Sequence, residues 1–260
     1  MIGQKRVVRA ATLLLMGSLL ANLLPDIGTA AETIVLDTTV NSHNAYLRDG
    51  KPTGFVVDLI TEAFARSGRQ VEFHFLPWAR CLDEVRYGHA DGILLVYRTA
   101  ERETYLEYSA EPLVIEEEHV FVRKDDPFQF TGDLADLEDK KIGVLNQTAH
   151  GQIFDKALAD HLLSKIEPAN SYENLMRMLM SGRIDVVLST ANGLSQPINE
   201  YGYVGAIVQT GPPVEAIPSY LGFSRARHLT GLRTDFDAAI RALHRDGTLD
   251  KLRARHYEMD

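Results

Sequence analysis

The fold is decided by two segments of similar pattern, LDEVRYGHADGILL at residues 82–95 and NLMRMLMSGRIDVVL at residues 174–188. Each segment predicts the end of a helix, then a glycine, two further residues, an aspartate and an apolar strand. Gly88 and Asp91 of the first segment recur as Gly182 and Asp185 of the second at one common offset. A glycine after a helix can adopt the left-handed conformation that turns the chain toward the next strand. Two copies of this turn predict two similar lobes, each built from βαβ units.

The segments around these copies extend the α/β pattern. Apolar or alternating runs predict strands at 34–36, 71–75, 93–96 and 142–145, and helical spacing predicts helices at 57–65 and 77–88. Farther along, residues 220–224 predict a strand, and Thr234 with Asp237 forms a capping-box pattern that predicts the start of another helix. This last unit has no partner in the second lobe. We therefore expect the chain to return to the first lobe, so that two crossing segments form a hinge.

The composition excludes several classes of protein. The 260 residues include 36 acidic and 27 basic side chains, which give a formal net charge of −9. This is the wrong sign for a protein that binds nucleic acid by neutralising phosphates. The single cysteine, Cys81, excludes an internal disulfide framework and a cysteine-rich metal site. The sequence has no HExxH, GxSxG or P-loop motif, so we predict no metal, no cofactor and no nucleic-acid partner.

Residues 1–31 are predicted to form a secretory signal peptide. Basic residues at positions 5, 6 and 9 precede an apolar run at 10–24, and small residues follow at 28–31. This order is typical of a signal peptide, here cleaved after Ala30 or Ala31. The alternative is a membrane anchor, but the apolar run is shorter than the roughly twenty residues of a spanning helix. A lipid anchor would need a cysteine at the cut, so we expect the mature protein to diffuse freely in the periplasm.

Four stretches in a fixed order carry a resemblance to a known family. They are Tyr46 with GFVVDLITEAF at 54–64, PWARCLDEVRYGHADGI at 77–93 leading into RTAERETYLEYS at 98–109, LEDKKIGVLNQTA at 137–149, and AIRALHRDGTLDKLRARHY at 239–257. Together they resemble the bacterial extracellular solute-binding proteins of family 3, the polar amino-acid type that serves ABC importers. The resemblance covers nearly the whole chain after the signal peptide.

The resemblance implies an α/β protein with the two-lobed type II periplasmic-binding-protein fold. Each lobe would be a mixed, mostly parallel sheet flanked by helices, and the lobes would close on a small ligand between them. Hinge crossings near Val114 and Pro218 would assign residues 32–114 and 219–260 to lobe 1. Residues 115–218 would form lobe 2.

The resemblance also implies ligand contacts from lobe 1. Arg102 matches the arginine that holds the ligand's carboxylate. A planar guanidinium suits this role, since it can donate two parallel hydrogen bonds to one carboxylate. The alternative for Arg102 is a surface arginine paired with Glu101 or Glu103. Tyr46 matches the aromatic residue that lies over the ligand.

Other lobe 1 candidates come from their position along the predicted sheet. Trp78 and Tyr97 lie at the carboxyl edge, where open α/β sheets bind ligands. Core packing is the alternative for Trp78. Arg80 and Arg98 are candidates to add positive charge to the cleft, which would suit an anionic ligand, and solvated surface arginines are the alternative.

Lobe 2 departs from the pattern of the family. In the run Asn146-Gln147-Thr148-Ala149, only Thr148 matches the family's hydroxyl residues. Thr190 stands where the family has an aspartate that binds the ligand's ammonium group, and such a charge-assisted contact contributes roughly 1.5–3 kcal/mol. We therefore do not expect the ligand to be restricted to standard α-amino acids. Asp185 is expected to be structural, and the acidic run 116–118 is expected to be a solvated strand flank.

The predicted function is capture of a small polar, carboxylate-bearing ligand, an amino acid or a related compound, in the cleft between the lobes and its delivery to the permease subunits of an ABC importer in the inner membrane. We expect a monomer without enzymatic activity. One alternative is a periplasmic sensor that presents its closed form to a membrane signalling protein. Another is a periplasmic dehydratase on the same fold, which would need a general acid or base in the cleft.

Overall fold

A computed structural model describes residues 33–40 and 43–257 of the chain. The predicted signal peptide, residues 1–31, lies outside the described residues. In the part of the chain that is described, no helix is both long enough and apolar enough to cross a membrane.

The described residues form a mixture of strands and helices. The strands are β1 (Thr33–Thr38), β2 (Tyr46–Arg48), β3 (Lys51–Thr53), β4 (Gln70–Phe75), β5 (Gly92–Tyr97), β6 (Leu106–Tyr108), β7 (Val114–Arg123), β8 (Ile142–Leu145), β9 (Ile166–Ala169), β10 (Val186–Thr190) and β11 (Ile207–Ser224). The α-helices are α1 (Phe55–Ala65), α2 (Trp78–Arg86), α3 (Gln152–Ala159), α4 (Tyr172–Met180), α5 (Ala191–Glu200), α6 (Thr230–Arg245) and α7 (Thr248–Tyr257).

The main sheet has the strand order β4-β1-β5-β11-β7-β10-β8-β9, and β6 pairs with β11 beside this path. The outer strands of each half are parallel, as β1 is to β4 and β5, and as β8 is to β9 and β10. The two long central strands, β7 and β11, are antiparallel to each other. Within this pair, Val114 is the register partner of Ser219 and Ile115 that of Pro218. The chain therefore crosses between the two halves twice, once along β7 and once along β11, and the two crossings lie side by side in the sheet.

The repeated turn predicted from the sequence is present in both halves. Asp91 Oδ2 accepts a hydrogen bond of 2.9 Å from the Val35 amide, and Asp185 Oδ2 accepts one of 2.8 Å from the Lys141 amide. Each aspartate also donates its own amide to the carbonyl of the same partner, at 2.9 Å in both cases. The glycines three residues before them have φ of +76° and +72°. Both aspartates therefore join a helix–strand turn to the neighbouring parallel strand, which is the structural role expected for Asp185.

Four hydrophobic clusters form the core, two in each half. In the first half, one cluster packs α1, α6 and α7 on the sheet, where the rings of Phe64 and Phe236 are 5.4 Å apart, and another surrounds Cys81. In the second half, one cluster includes Phe154 and the other includes Leu175. Among the described residues, each cluster draws on one half only, in agreement with the two-lobed fold class. The exact lobe boundaries stay a prediction.

The start of α6 differs from the sequence-based expectation. The helix begins at Thr230, four residues before the predicted cap at Thr234, because Leu232 packs into the core and favours an earlier start. The carboxylate of Asp237 instead accepts a hydrogen bond of 2.9 Å from the backbone amide of Ala110. The capping-box prediction was wrong because Asp237 satisfies a donor from a distant loop rather than one from its own helix.

Candidate ligand-binding site

A cavity lies at the carboxyl ends of β1, β5, β8 and β10, where parallel α/β sheets commonly bind ligands. Its walls come from both lobes, since β1 and β5 belong to the first half and β8 and β10 to the second. Five of the predicted site residues line it together: Trp78, Tyr97, Arg102, Thr148 and Thr190. They come from separate segments of the chain, and the sheet brings them together.

Arg102 is the fixed cation of this cavity. It lies in a short 3-10 turn at Arg102–Thr104 and is only 4% exposed. Its Nη1 donates to the Tyr97 carbonyl at 3.1 Å and its Nη2 donates to the Gln147 carbonyl at 3.0 Å. Burial lowers the pKa of Arg102 from its ordinary value. The side chain is held in place in the cavity wall and is not the solvated surface arginine that was its alternative.

Trp78 and Arg102 of lobe 1 both contact one backbone carbonyl of lobe 2. The guanidinium carbon lies 5.3 Å from the indole ring centroid, which is within cation–π range. The indole Nε1 donates to the Gln147 carbonyl at 3.0 Å, so this one oxygen accepts from both lobe 1 side chains. Gln147 has a φ of +60°. The contact shows how an oxygen supplied from lobe 2 is recognised by a tryptophan and an arginine of lobe 1.

Two phenols add polar groups to the cavity. Burial, together with the carboxyl groups of Glu116 and Glu118, raises the pKa of Tyr97 well above its usual range. Burial also raises the pKa of Tyr172 to about 12. Both hydroxyl groups are therefore protonated at neutral pH and can donate a hydrogen bond.

The two threonines of lobe 2 differ in what their hydroxyl groups do. Thr190 Oγ1 caps α5 by accepting a hydrogen bond of 3.0 Å from the Gly193 amide. Thr148 Oγ1 is buried in the cavity wall and has no hydrogen-bond partner among the described residues. Thr148 therefore offers a free hydroxyl group to a ligand, whereas the Thr190 oxygen accepts the cap bond and its hydroxyl hydrogen is left to donate.

The acidic run on β7 contradicts the expectation of a solvated flank. Glu116 and Glu118 are 5% and 1% exposed and both line the cavity, whereas the Glu117 side chain is 57% exposed. Alternate residues of a strand point to opposite faces of the sheet, so the two even-numbered glutamates turn inward together. His150, which follows β8, is also buried against the cavity. The two-residue period of a strand places Glu116 and Glu118 on one face, but no local signal shows which face is buried, and none indicates His150.

Three of the predicted site residues do not line this cavity. Arg80 is paired with Glu84 at 3.2 Å on the exposed face of α2. Arg98 lies 4.9 Å and 5.1 Å from the rings of Tyr108 and Tyr220.

The third, Tyr46, lies in the β2–β3 hairpin, where its hydroxyl accepts a hydrogen bond of 2.9 Å from Arg48. Arg80 and Arg98 line two pockets that share residues with this cavity, so the wall of the cavity itself carries one arginine and two glutamates. A ligand role for these three residues stays a prediction.

Comparisons with known proteins agree with this fold. Two α/β halves joined through two long central strands, with a cavity between them, define a periplasmic binding protein of the type II fold. Residues 33–259 match the family model of bacterial extracellular solute-binding proteins, family 3, and the chain belongs to this family.

Individual relatives are more distant. The chain is 23% identical over 223 residues to the probable amino-acid-binding protein YxeM of Bacillus subtilis (strain 168), covering 83% of this chain and 80% of YxeM. It is similar in structure to a histidine kinase sensor domain with similarity to periplasmic binding proteins, with a TM-score of 0.74, 19% identity and coverage of 87% and 96% of the two chains. It is also similar to an ancestral arginine-binding protein bound to arginine, with a TM-score of 0.71, 21% identity and coverage of 86% and 98%.

Proposed function

We propose that this protein is a periplasmic solute-binding protein that captures a small polar ligand carrying a carboxylate and delivers it to an ABC importer. The observation that carries the proposal is the buried guanidinium of Arg102, held in an interlobe cavity with its Nη2 directed at an oxygen from lobe 2. A carboxylate in place of the Gln147 carbonyl would offer two oxygens to this planar donor. The family to which the chain belongs supports the class of function.

The proposed mechanism is closure of the two lobes by a shift in population. The ligand first contacts Arg102, Trp78 and Tyr97 of lobe 1. It then reaches Thr148 and Thr190 of lobe 2, and its higher affinity for the closed form favours closure. The permease subunits in the inner membrane would recognise that closed form. In this proposal, lobe 1 consists of residues 32–114 and 219–260, lobe 2 of residues 115–218, and the monomer acts without catalysis after loss of the signal peptide near Ala30 or Ala31.

A sensor is the second candidate function. It is supported by the similarity to a histidine kinase sensor domain, and it would use the same cavity and the same closure. The two functions differ only in the membrane protein that recognises the closed form. Uptake of a radiolabelled ligand by cells with and without the gene separates them, because a transporter supports uptake and a sensor does not.

The central experiment is a thermal-shift screen of the purified mature protein against amino acids, dicarboxylates, opines and peptides. A ligand that binds only the folded protein raises the melting temperature by mass action. We expect carboxylate-bearing compounds to raise it and their decarboxylated amines to have no effect. With the best compound, Arg102→Ala should weaken binding at least tenfold in calorimetry. Unchanged affinity in that variant would contradict the proposed site, and so would the absence of any response in the screen.

A further inference from the structure

We propose that Glu118, with Glu116 beside it on β7, binds a cationic nitrogen of the ligand and so supplies the carboxylate that position 190 lacks. This inference rests on the proposed function and adds to it the charge pattern of the ligand. The ligand would carry a carboxylate for Arg102 and an ammonium or guanidinium group for the glutamates. Such a ligand is a zwitterion or a cationic amino-acid derivative rather than a simple anion.

Burial of Glu118 is the first observation behind the proposal. The residue is 1% exposed, it lines the cavity, and its Oε2 has no hydrogen-bond partner among residues 33–40 and 43–257. A buried carboxylate without a donor is costly unless a cation or a donor meets it. The cavity side of Glu118 is where a ligand can bring one.

The neighbouring groups of the protein do not provide that donor. Arg102 Nη1 donates to the Tyr97 carbonyl and Nη2 to the Gln147 carbonyl, and no hydrogen bond joins Arg102 to Glu118 in the part of the chain that the structure describes. His150 Nδ1 lies 3.6 Å from Glu118 Oε1, a distance at which a protonated imidazole forms an ion pair but which is beyond a hydrogen bond, and neither imidazole nitrogen has a hydrogen-bond partner in the described part of the chain. A metal ion is a poorer candidate than a ligand nitrogen, because the described residues include no group of three or more His, Cys, Asp or Glu side chains arranged to hold one.

The strand register explains how Glu118 can replace a residue at position 190. Glu118 of β7 is the direct partner of Thr190 in the antiparallel pair that β7 forms with β10. Paired residues of neighbouring strands project from the same face of a sheet, and these two line the same cavity. Moving the carboxylate from β10 to β7 displaces it by about one strand spacing, roughly 4.8 Å. The longer glutamate side chain can make up part of that distance.

The test compares three single variants in calorimetry. The probes are the twenty standard amino acids, their 2-hydroxy acid counterparts and the dicarboxylates succinate and glutarate. For amino acids that bind the wild-type protein, we expect Glu118→Gln to weaken binding at least tenfold and Glu116→Gln to weaken it less. Glu117→Gln is the matched control on the same strand, and it should bind as the wild type does because its side chain faces away from the cavity.

The outcomes separate this inference from the proposed function. If dicarboxylates or 2-hydroxy acids without any cationic nitrogen bind as tightly as the amino acids, the role of Glu118 is wrong and carboxylate capture stands. Unchanged affinity in Glu118→Gln would also overturn it. If no probe binds the wild-type protein, the proposed function fails together with the inference.

Moving the carboxylate from position 118 on β7 to position 190 on β10 by two substitutions gives a second test. Adding Thr190→Asp to Glu118→Gln should restore at least a tenfold gain in affinity, and aspartate can still cap α5. Failure of this double variant to regain affinity would mean that Glu118 acts through packing and not through charge. Should Glu118→Gln not fold, Glu118→Asp is measured instead, because it keeps the charge but withdraws the carboxylate by one methylene group. Weaker binding of amino acids with unchanged binding of dicarboxylates supports the inference, and unchanged binding of amino acids contradicts it.

Discussion

Thr190 on β10 and Glu118 on β7 are register partners on adjacent antiparallel strands, and both line the cavity between the lobes. The hydroxyl of Thr190 is engaged as the cap of α5. The second carboxylate oxygen of Glu118 has no hydrogen-bond partner among the residues that the structure describes. β10 thus provides the helix cap, and β7 provides the carboxylate of the cavity. The charge of the site therefore depends on how these two strands pair and not on one position of the sequence.

Replacing the cavity arginine by lysine tests whether a bidentate contact holds the ligand. Arg102→Lys keeps the positive charge but loses the planar pair of donors, so we expect affinity to fall by about 1.5–3 kcal/mol, measured by calorimetry. Arg183→Ala is the control, because Arg183 is 66% exposed, pairs with Glu167 at 3.4 Å and does not line the cavity. An equal loss of affinity in both variants would contradict the placement of the carboxylate at Arg102.

The two repeated aspartates should contribute to stability and not to binding. Asp185→Ala removes one acceptor from the Lys141 amide, and we expect a loss of about 1–2 kcal/mol in the free energy of unfolding. Asp91→Ala should cost more, about 2–3 kcal/mol, because Asp91 is buried and also accepts a hydrogen bond of 2.7 Å from Arg227. Urea denaturation measures both values. If either aspartate variant lost as much ligand affinity as Arg102→Lys, the two helix–strand turns would be part of the binding site.

The stability of the protein should depend on the ionisation of Asp37. Burial raises the pKa of this carboxyl to about 6 from 3.8, opposed by the nearby His74 imidazole. Because the pKa is higher in the folded state, the contribution of Asp37 to the free energy of unfolding is fully present below pH 3.8 and is lost as the pH rises through about 6. We expect Asp37→Asn to raise the free energy of unfolding at pH 7.5 by up to about 3 kcal/mol. The gain should shrink by pH 4, and an equal gain at both pH values would exclude ionisation as its cause.

Gly211 should be the least replaceable of the left-handed glycines. It has a φ of +68°, and a Cβ there would lie 1.9 Å from the Phe130 carbonyl oxygen. Gly50 has a similar φ of +73° but nothing within 4 Å of the same position. We expect Gly50→Ala to cost about 1 kcal/mol from backbone strain alone and Gly211→Ala to cost several kcal/mol more. Similar melting temperatures for the two variants would show that the β11 segment shifts to relieve the contact.

Much of the fold could be predicted from the sequence because its signals are local. The helix–glycine–aspartate–strand repeat predicted both βαβ turns, and the hydrogen bonds of Asp91 and Asp185 confirm it. Each bond joins two residues of the same half, which are 56 residues apart for Val35 and Asp91 and 44 apart for Lys141 and Asp185. The start of α6 could not be predicted in this way, since the burial of Leu232 decides it.

The candidate site was predicted less completely. Arg102, Trp78 and Tyr97 lie in the cavity as expected, because each follows or ends an element at the carboxyl edge of the sheet. Arg98 follows Tyr97 directly, yet it lies over the rings of Tyr108 and Tyr220. Adjacent residues at a strand end point in opposite directions, so only one of the two can face the cavity.

The sequence by itself therefore determined the α/β lobes, the family and the arginine of the site, since these depend on periodicity and on short motifs. Only the tertiary structure decided the charge of the cavity. Whether a glutamate of the run 116–118 is buried depends on which strands flank β7, and β10 and β11 come from parts of the sequence far from it. That pairing buries Glu116 and Glu118 and leaves Glu117 in solvent. An acidic run that is locally uniform thus becomes, through long-range strand pairing, two cavity residues and one surface residue.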